Sequence, residues 1–170
     1  ICHGGLIATP ADSAFAYACN SYDELTVASG FAVDLLGPGQ LGDVLTARDG
    51  TTVEVKNTDA EGRIVMMDAI ALAVEEGVDA IIDIATLTGA ALMALGQLTA
   101  PVLGNDQRVV DLTLAASAVT GEPLWQLPLE RKYRPQLDSD VADLANIGGR
   151  YAGATTAALF LMHPFAQQGQ

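Results

Sequence analysis

Lys56-Asn57-Thr58-Asp59-Ala60-Glu61-Gly62-Arg63 runs directly into Ile64-Val65-Met66-Met67, so Asp59, Glu61 and Arg63 fall at alternate positions just ahead of an apolar run. In an extended backbone, residues i, i+2 and i+4 point to one side. That spacing lets Asp59 and Glu61 aim both carboxylates at one point, as a hard divalent cation requires. The apolar run behind them reads as a helix, whose free N–H groups and positive dipole end favour an anion. Arg63 adds a permanent charge there. A cation site at a strand end, joined to an anion site at a helix start, suits hydrolysis at a metal. The plainer reading is a set of solvated charges before a helix, because acidic residues are favoured in first turns.

Bulk properties narrow the classes. The 170 residues are half hydrophobic, which is enough for one domain with a core. Eight basic residues stand against 21 acidic ones, a net charge of −13. That balance argues against a nucleic-acid partner and against an anionic lipid surface. It is compatible with a cationic substrate such as a free amino end. Cys2 and Cys19 have no metal-ligand spacing, and nothing marks an oxidising compartment. No signal-peptide pattern opens the chain. The uncharged run Ile84–Asn105 is broken by Gly89, Gly96, Pro101 and Gly104, so it reads as strand, loop, helix and strand rather than a membrane span.

Along the chain, residues 43–56 read as a hairpin, with Asp49-Gly50 as a type I′ turn between its arms. Residues 63–76 read as a largely buried helix closed by Gly77, with Asp68 as a hydrogen-bonded structural acid. Ala80-Ile81-Ile82-Asp83-Ile84-Ala85 reads as a buried parallel strand. It leads through Thr86-Leu87-Thr88-Gly89 to a helix, the position where open α/β sheets place ligands. Further expectations are a strand near 101–104, a helix over 107–119 ended by Gly121, an extended segment over 122–128 and a charged surface cluster at 130–134. A short turn or helix within 141–147 and a helix from Ala152 to Met162 complete the order. Strand and helix alternate from residue 43, so the fold class is α/β, with a central mixed, mainly parallel sheet flanked by helices.

The wording of Asn57–Arg63 resembles the signature heptad of the leucyl (cytosol) aminopeptidases, a family of two-metal exopeptidases. Gly42–Ala47, Asp49-Gly50, Asp83–Ala90 and Ala152–Ala158 resemble family text in the same order. The resemblance implies a metal-dependent aminopeptidase that releases N-terminal residues from peptides, with two divalent ions, Mn or Zn. By resemblance, Asp59 and Glu61 are metal ligands and Arg63 is a catalytic residue holding a bicarbonate that serves as general base. Gly62, Thr86, Leu87 and Gly89 become substrate- or bicarbonate-binding positions. A cytoplasmic location, a peptide substrate and association into homo-oligomers (hexamers in the family) are implied as well. The resemblance assigns residues 42–165 to part of the catalytic domain, leaving 1–41 without recognisable family motifs and 166–170 as a tail. The family's Lys and two Asp ahead of the Gly-Asp-Val block have no counterpart here. No Lys precedes Lys56, and Asp12, Asp23, Asp34 and the lone His3 lie in unmatched surroundings. The family's later strand bearing Trp, His and Asp has no match either. The alternative is therefore an inactive fragment or paralogue acting only as a structural or association module.

Overall fold

Residues 40–164 are described by the structure, a computed structural model; Cys2, Cys19, His3 and the three early aspartates lie outside that range. Strands β1 (Val44–Thr46) and β2 (Thr52–Glu54) form the expected antiparallel hairpin, with Leu45 opposite Val53. Its turn differs from the expectation. A type I′ turn needs positive φ at both central residues. Here Gly50 alone has it, at +88°. The Ala47 carbonyl accepts from Gly50 N at 2.9 Å, and Ala47 N donates to the Thr51 carbonyl at 2.8 Å. The loop is thus the three-residue kind, a turn followed by a left-handed glycine. The Asp49 carboxylate holds it by accepting from Thr51 N at 2.9 Å.

Helix α1 (Gly62–Glu75) follows and ends on Gly77, which takes φ +70° beyond the Glu76 cap. The hairpin docks on this helix through Arg48. Its backbone N–H donates to Asp68 Oδ1 at 2.9 Å, and its guanidinium pairs with Glu75. Asp68 is therefore the structural acid expected. The helix is less buried than its composition implies: Arg63, Met67, Ile70 and Ala71 face inward, whereas Val65 and Leu72 face solvent.

Helix α2 (Gly89–Leu95), strand β3 (Ala100–Val102), helix α3 (Gln107–Thr120) and strand β4 (Leu124–Gln126) form a second group. Here β3 and β4 pair in parallel, Pro101 opposite Trp125, with α3 as their connection. Asp106 caps α3, and Gly121 ends it in the left-handed region. A 3-10 turn over Arg131–Leu137 leads to β5 (Leu144–Ala145) and then to α4 (Gly153–Leu161).

Two further sequence expectations fail. Residues 141–147 hold a strand rather than a turn or helix, because β5 finds β2 as a parallel neighbour, Val53 opposite Leu144. Residues 80–85 form no strand and pair with none of the described strands. A strand is a property of its partners; without one, Ile82 is 65% and Ile84 89% exposed.

Among the described residues the sheets are small: β1-β2-β5, mixed, and β3-β4, parallel. Two of the three strand pairings are parallel, and helices flank them, so the α/β class with a mainly parallel arrangement holds. The core joins Val53, Met67, Ile70, Leu137, Leu144, Leu159 and Phe160. It locks β2, β5, α1 and α4 together, the elements from which the candidate site is built. None of the described helices is long and apolar enough to cross a membrane.

Candidate active site

Strands β2 and β5 are parallel neighbours, so their carboxyl ends lie at one end of the sheet. Each leads through a loop to a helix start, β2 to α1 and β5 to α4. That is where α/β folds gather ligand-binding groups. The backbone is extended only as far as Asn57, at φ −150° and ψ 120°. Asn57 Oδ1 then accepts from Asp59 N at 2.9 Å, and Thr58–Ala60 closes into a 3-10 turn. Glu61 continues in the right-handed helical region.

This corrects the extended-chain geometry. In a three-residue turn, successive side chains are about 120° apart around the axis. The alternation rule therefore does not bring Asp59 and Glu61 to one side. The physical reason is the Asn57 side chain, which offers the backbone a local hydrogen bond that the strand does not. Asp59 and Glu61 are both exposed, and neither carboxylate has a protein hydrogen bond or ion pair among the described residues.

Arg63 lies one turn on, in the first turn of α1, and is the opposite case. It is 5% exposed, and its Nε and Nη1 are buried without a hydrogen-bond partner. Its guanidinium carbon stands 6.0 Å from the Phe160 ring centroid. Burial pushes its pKa down from the ordinary arginine value, which still leaves it cationic. Native proteins seldom leave buried donors unmatched. Two buried guanidinium nitrogens, Nε and Nη1, are thus left unmatched.

Of the 86–89 segment, Leu87 reaches the site. A Cβ built on Gly62 would lie 3.7 Å from Leu87 Cδ1. Leu87 thus lies within ordinary van der Waals reach of the start of α1. Thr88 caps α2, its Oγ1 accepting from Ala90 N at 3.2 Å, and Gly89 opens that helix. Thr86 is exposed. The N-terminus of α4 is drawn to the same place, since a Cβ on Gly153 would lie 2.8 Å from Ala90 Cβ. An apolar groove of about 190 Å³ between α1 and residues 81–83 contains none of these residues.

Sequence reasoning missed Asn146, which follows β5. It is fully buried, and its Oδ1 accepts from Lys56 N at 2.8 Å and Asn57 N at 3.1 Å. Its Nδ2 donates to the Asn57 carbonyl at 2.6 Å and, more weakly, to the Ala60 carbonyl at 3.4 Å. The available signal was one amide inside the apolar run Leu144-Ala145-Asn146-Ile147.

The model of the cytosol aminopeptidase family, catalytic domain, matches residues 38–169. This chain belongs to the cytosol aminopeptidase family. It is 49% identical over 127 residues to a probable cytosol aminopeptidase of Solibacter usitatus, covering 75% of this chain and 26% of that one. It is 52% identical over 120 residues to the probable cytosol aminopeptidase of Nitrosococcus oceani, 71% of this chain and 24% of the other. Leucine aminopeptidase 2, chloroplastic, of Arabidopsis thaliana is 49% identical over 120 residues, 71% of this chain and 21% of its own length. The chain thus spans about a quarter of the length of these curated relatives. A thioesterase-superfamily model also matches residues 1–69. Within the shared stretch, β2 pairs with β5 and Arg48 docks on α1.

Two divalent ions are the cofactors the family implies. The donor set here is right in kind, since carboxylate oxygens suit hard cations. It is short in number: no three His, Cys, Asp or Glu residues converge among the described residues. By themselves these residues do not fit a two-ion centre.

Proposed function

We propose that this chain carries the anion-binding and part of the cation-binding half of an aminopeptidase site, acting on the free amino end of peptides. The observation that carries the reading is Arg63, a buried cation with unmet donors, placed one turn beyond two exposed carboxylates that also lack partners. Membership in the cytosol aminopeptidase family supports it. In this reading Asp59 and Glu61 offer oxygen donors to a divalent cation. Arg63 holds a bicarbonate or a developing oxyanion, whose charge its buried guanidinium stabilises more strongly than water would. Gly62 and Leu87 form the wall against which the substrate rests, and Thr86 and Gly89 offer main-chain groups at the start of α2.

The same reading limits what the 170 residues do alone. Two carboxylates hold one ion weakly, and an ion that keeps most of its water activates little hydroxide near neutral pH. A second reading, a structural or association module, is favoured by one observation: the exposed apolar segment 80–84 offers surface for association. The test is hydrolysis of a leucine anilide by the purified chain with added Mn²⁺ or Zn²⁺. The expected result is turnover near background. Strong metal-dependent turnover, lost on Asp59→Ala, would overturn the incompleteness.

A further inference from the structure

We propose that Asn146 is the positioning residue of this site, setting the conformation in which Asp59 and Glu61 are presented. This rests on the reading that those two carboxylates bind a cation. The backbone N–H of Asn146 donates to the Glu54 carbonyl at 2.9 Å, the last ladder bond between β2 and β5. Beyond it the main chains diverge and the Asn146 side chain takes over. Its carboxamide receives the N–H groups of Lys56 and Asn57 on one side and donates to the carbonyls of Asn57 and Ala60 on the other. The orientation of the amide is decided by these partners, since a flipped amide would set NH₂ against two N–H groups and oxygen against two carbonyls.

The side chain thus acts as a substitute strand as far as Asn57 and anchors, through the Asn57 and Ala60 carbonyls, the 3-10 turn that the Asn57 side chain begins. A neutral carboxamide is the short side chain that supplies two acceptor sites and two donors at once. An aspartate would turn an anionic oxygen toward two carbonyl oxygens inside a fully buried site. Alanine would leave both N–H groups and both carbonyls without this partner. The neighbouring Leu144 is buried as deeply and shares the strand, yet it belongs to the apolar core and has no polar contact with residues 56–61. It therefore separates loss of position from loss of stability.

The experiment compares the full chain with Asn146→Ala and Leu144→Ala, at a temperature where all are folded. Two quantities are read: amide exchange at Lys56, Asn57 and Ala60, and Mn²⁺ affinity by electron paramagnetic resonance. In Asn146→Ala, exchange at those three amides accelerates at least about tenfold while the Ala47 and Gly50 amides of the hairpin keep their protection. Mn²⁺ affinity falls about 10–100-fold, the usual scale for losing a residue that orients a ligand. Leu144→Ala lowers the melting temperature but leaves affinity within about twofold. Should Asn146→Ala not fold, Asn146→Ser is read the same way. Unchanged exchange at 56–60, or equal effects of the two substitutions, would overturn the proposal. If the unmodified chain takes up no Asp59-dependent Mn²⁺, the cation-site reading fails, and the exchange result alone then decides whether Asn146 sets the turn.

Discussion

The guanidinium carbon of Arg63 lies 6.0 Å from the centroid of the fully buried Phe160 ring, with Nε and Nη1 sealed from solvent and without hydrogen-bond partners. Contact with the ring face returns part of the desolvation cost, but not the hydrogen bonds lost at Nε and Nη1. Arg63→Met keeps the length of the side chain and removes the unmet donors. Since a buried unsatisfied group costs about 1–3 kcal/mol, the variant should melt roughly 3–8 °C higher. Bicarbonate should raise the melting temperature of the unmodified chain by mass action and leave that of Arg63→Met unmoved. Thermal denaturation with and without bicarbonate checks both.

The starts of α2 and α4 meet at Gly153 and Ala90. Gly153→Ala would place a methyl 2.8 Å from Ala90 Cβ, closer than carbon atoms approach. Overpacking of this kind costs about 1–3 kcal/mol. The double variant Gly153→Ala/Ala90→Gly should recover part of that loss, because it removes the opposing methyl. Urea denaturation of the two single variants and the double variant gives the coupling directly.

Ile84 is 89% exposed and Ile82 65%. Ile84→Ser should change stability by less than about 0.5 kcal/mol, the range for surface positions. Leu144→Ala, in the core, should cost about 2–5 kcal/mol. Ile84→Ser should also reduce self-association, read by sedimentation velocity. A large stability loss at Ile84 would mean that residues 80–85 are paired as a strand after all.

Acid should destabilise the fold through groups whose signs agree. His163 follows α4; burial, aided by the charge of Arg134, holds its pKa below the ordinary value, against the opposing pull of Asp49 and Asp143. Its unfolded form binds protons first, so its contribution is present above about pH 6.5 and fades as pH falls through the folded value. Hydrogen bonds from Thr52 hold Asp143 low, and bonds from Ser139 and Lys56 hold Glu54 low. Their contributions are present above about pH 4 and fade as pH falls through the folded values. Stability should therefore rise from below pH 4, as the carboxylates ionise, up to about pH 7, and then level. His163→Gln should flatten the upper part of that rise and leave the lower part in place.

The hairpin, helices α1 to α4 and the strands near 100 and 124 were legible because periodicity and punctuation agree locally. Gly121 and Gly77 close α3 and α1 where the residue types placed them. What was not legible depends on partners remote in sequence. Residues 80–85 have the β-branched composition of a buried strand, but composition does not supply a neighbour. Leu144-Ala145 has weak strand character, and β2 makes it one. The site suffered similarly: alternate spacing at Asp59 and Glu61 is informative only in extended chain, and the Asn57 side chain ends the extension. Asn146 acts across more than 80 residues of sequence, where no local pattern points.

The central claim is that Asp59 and Glu61 present an incomplete cation site. Mn²⁺ binding to the purified 170-residue chain, measured by electron paramagnetic resonance beside Asp59→Ala, tests it most directly. The account predicts weak binding of at most one ion per chain, lost on Asp59→Ala. Two tightly held ions, or binding indifferent to Asp59, would contradict it.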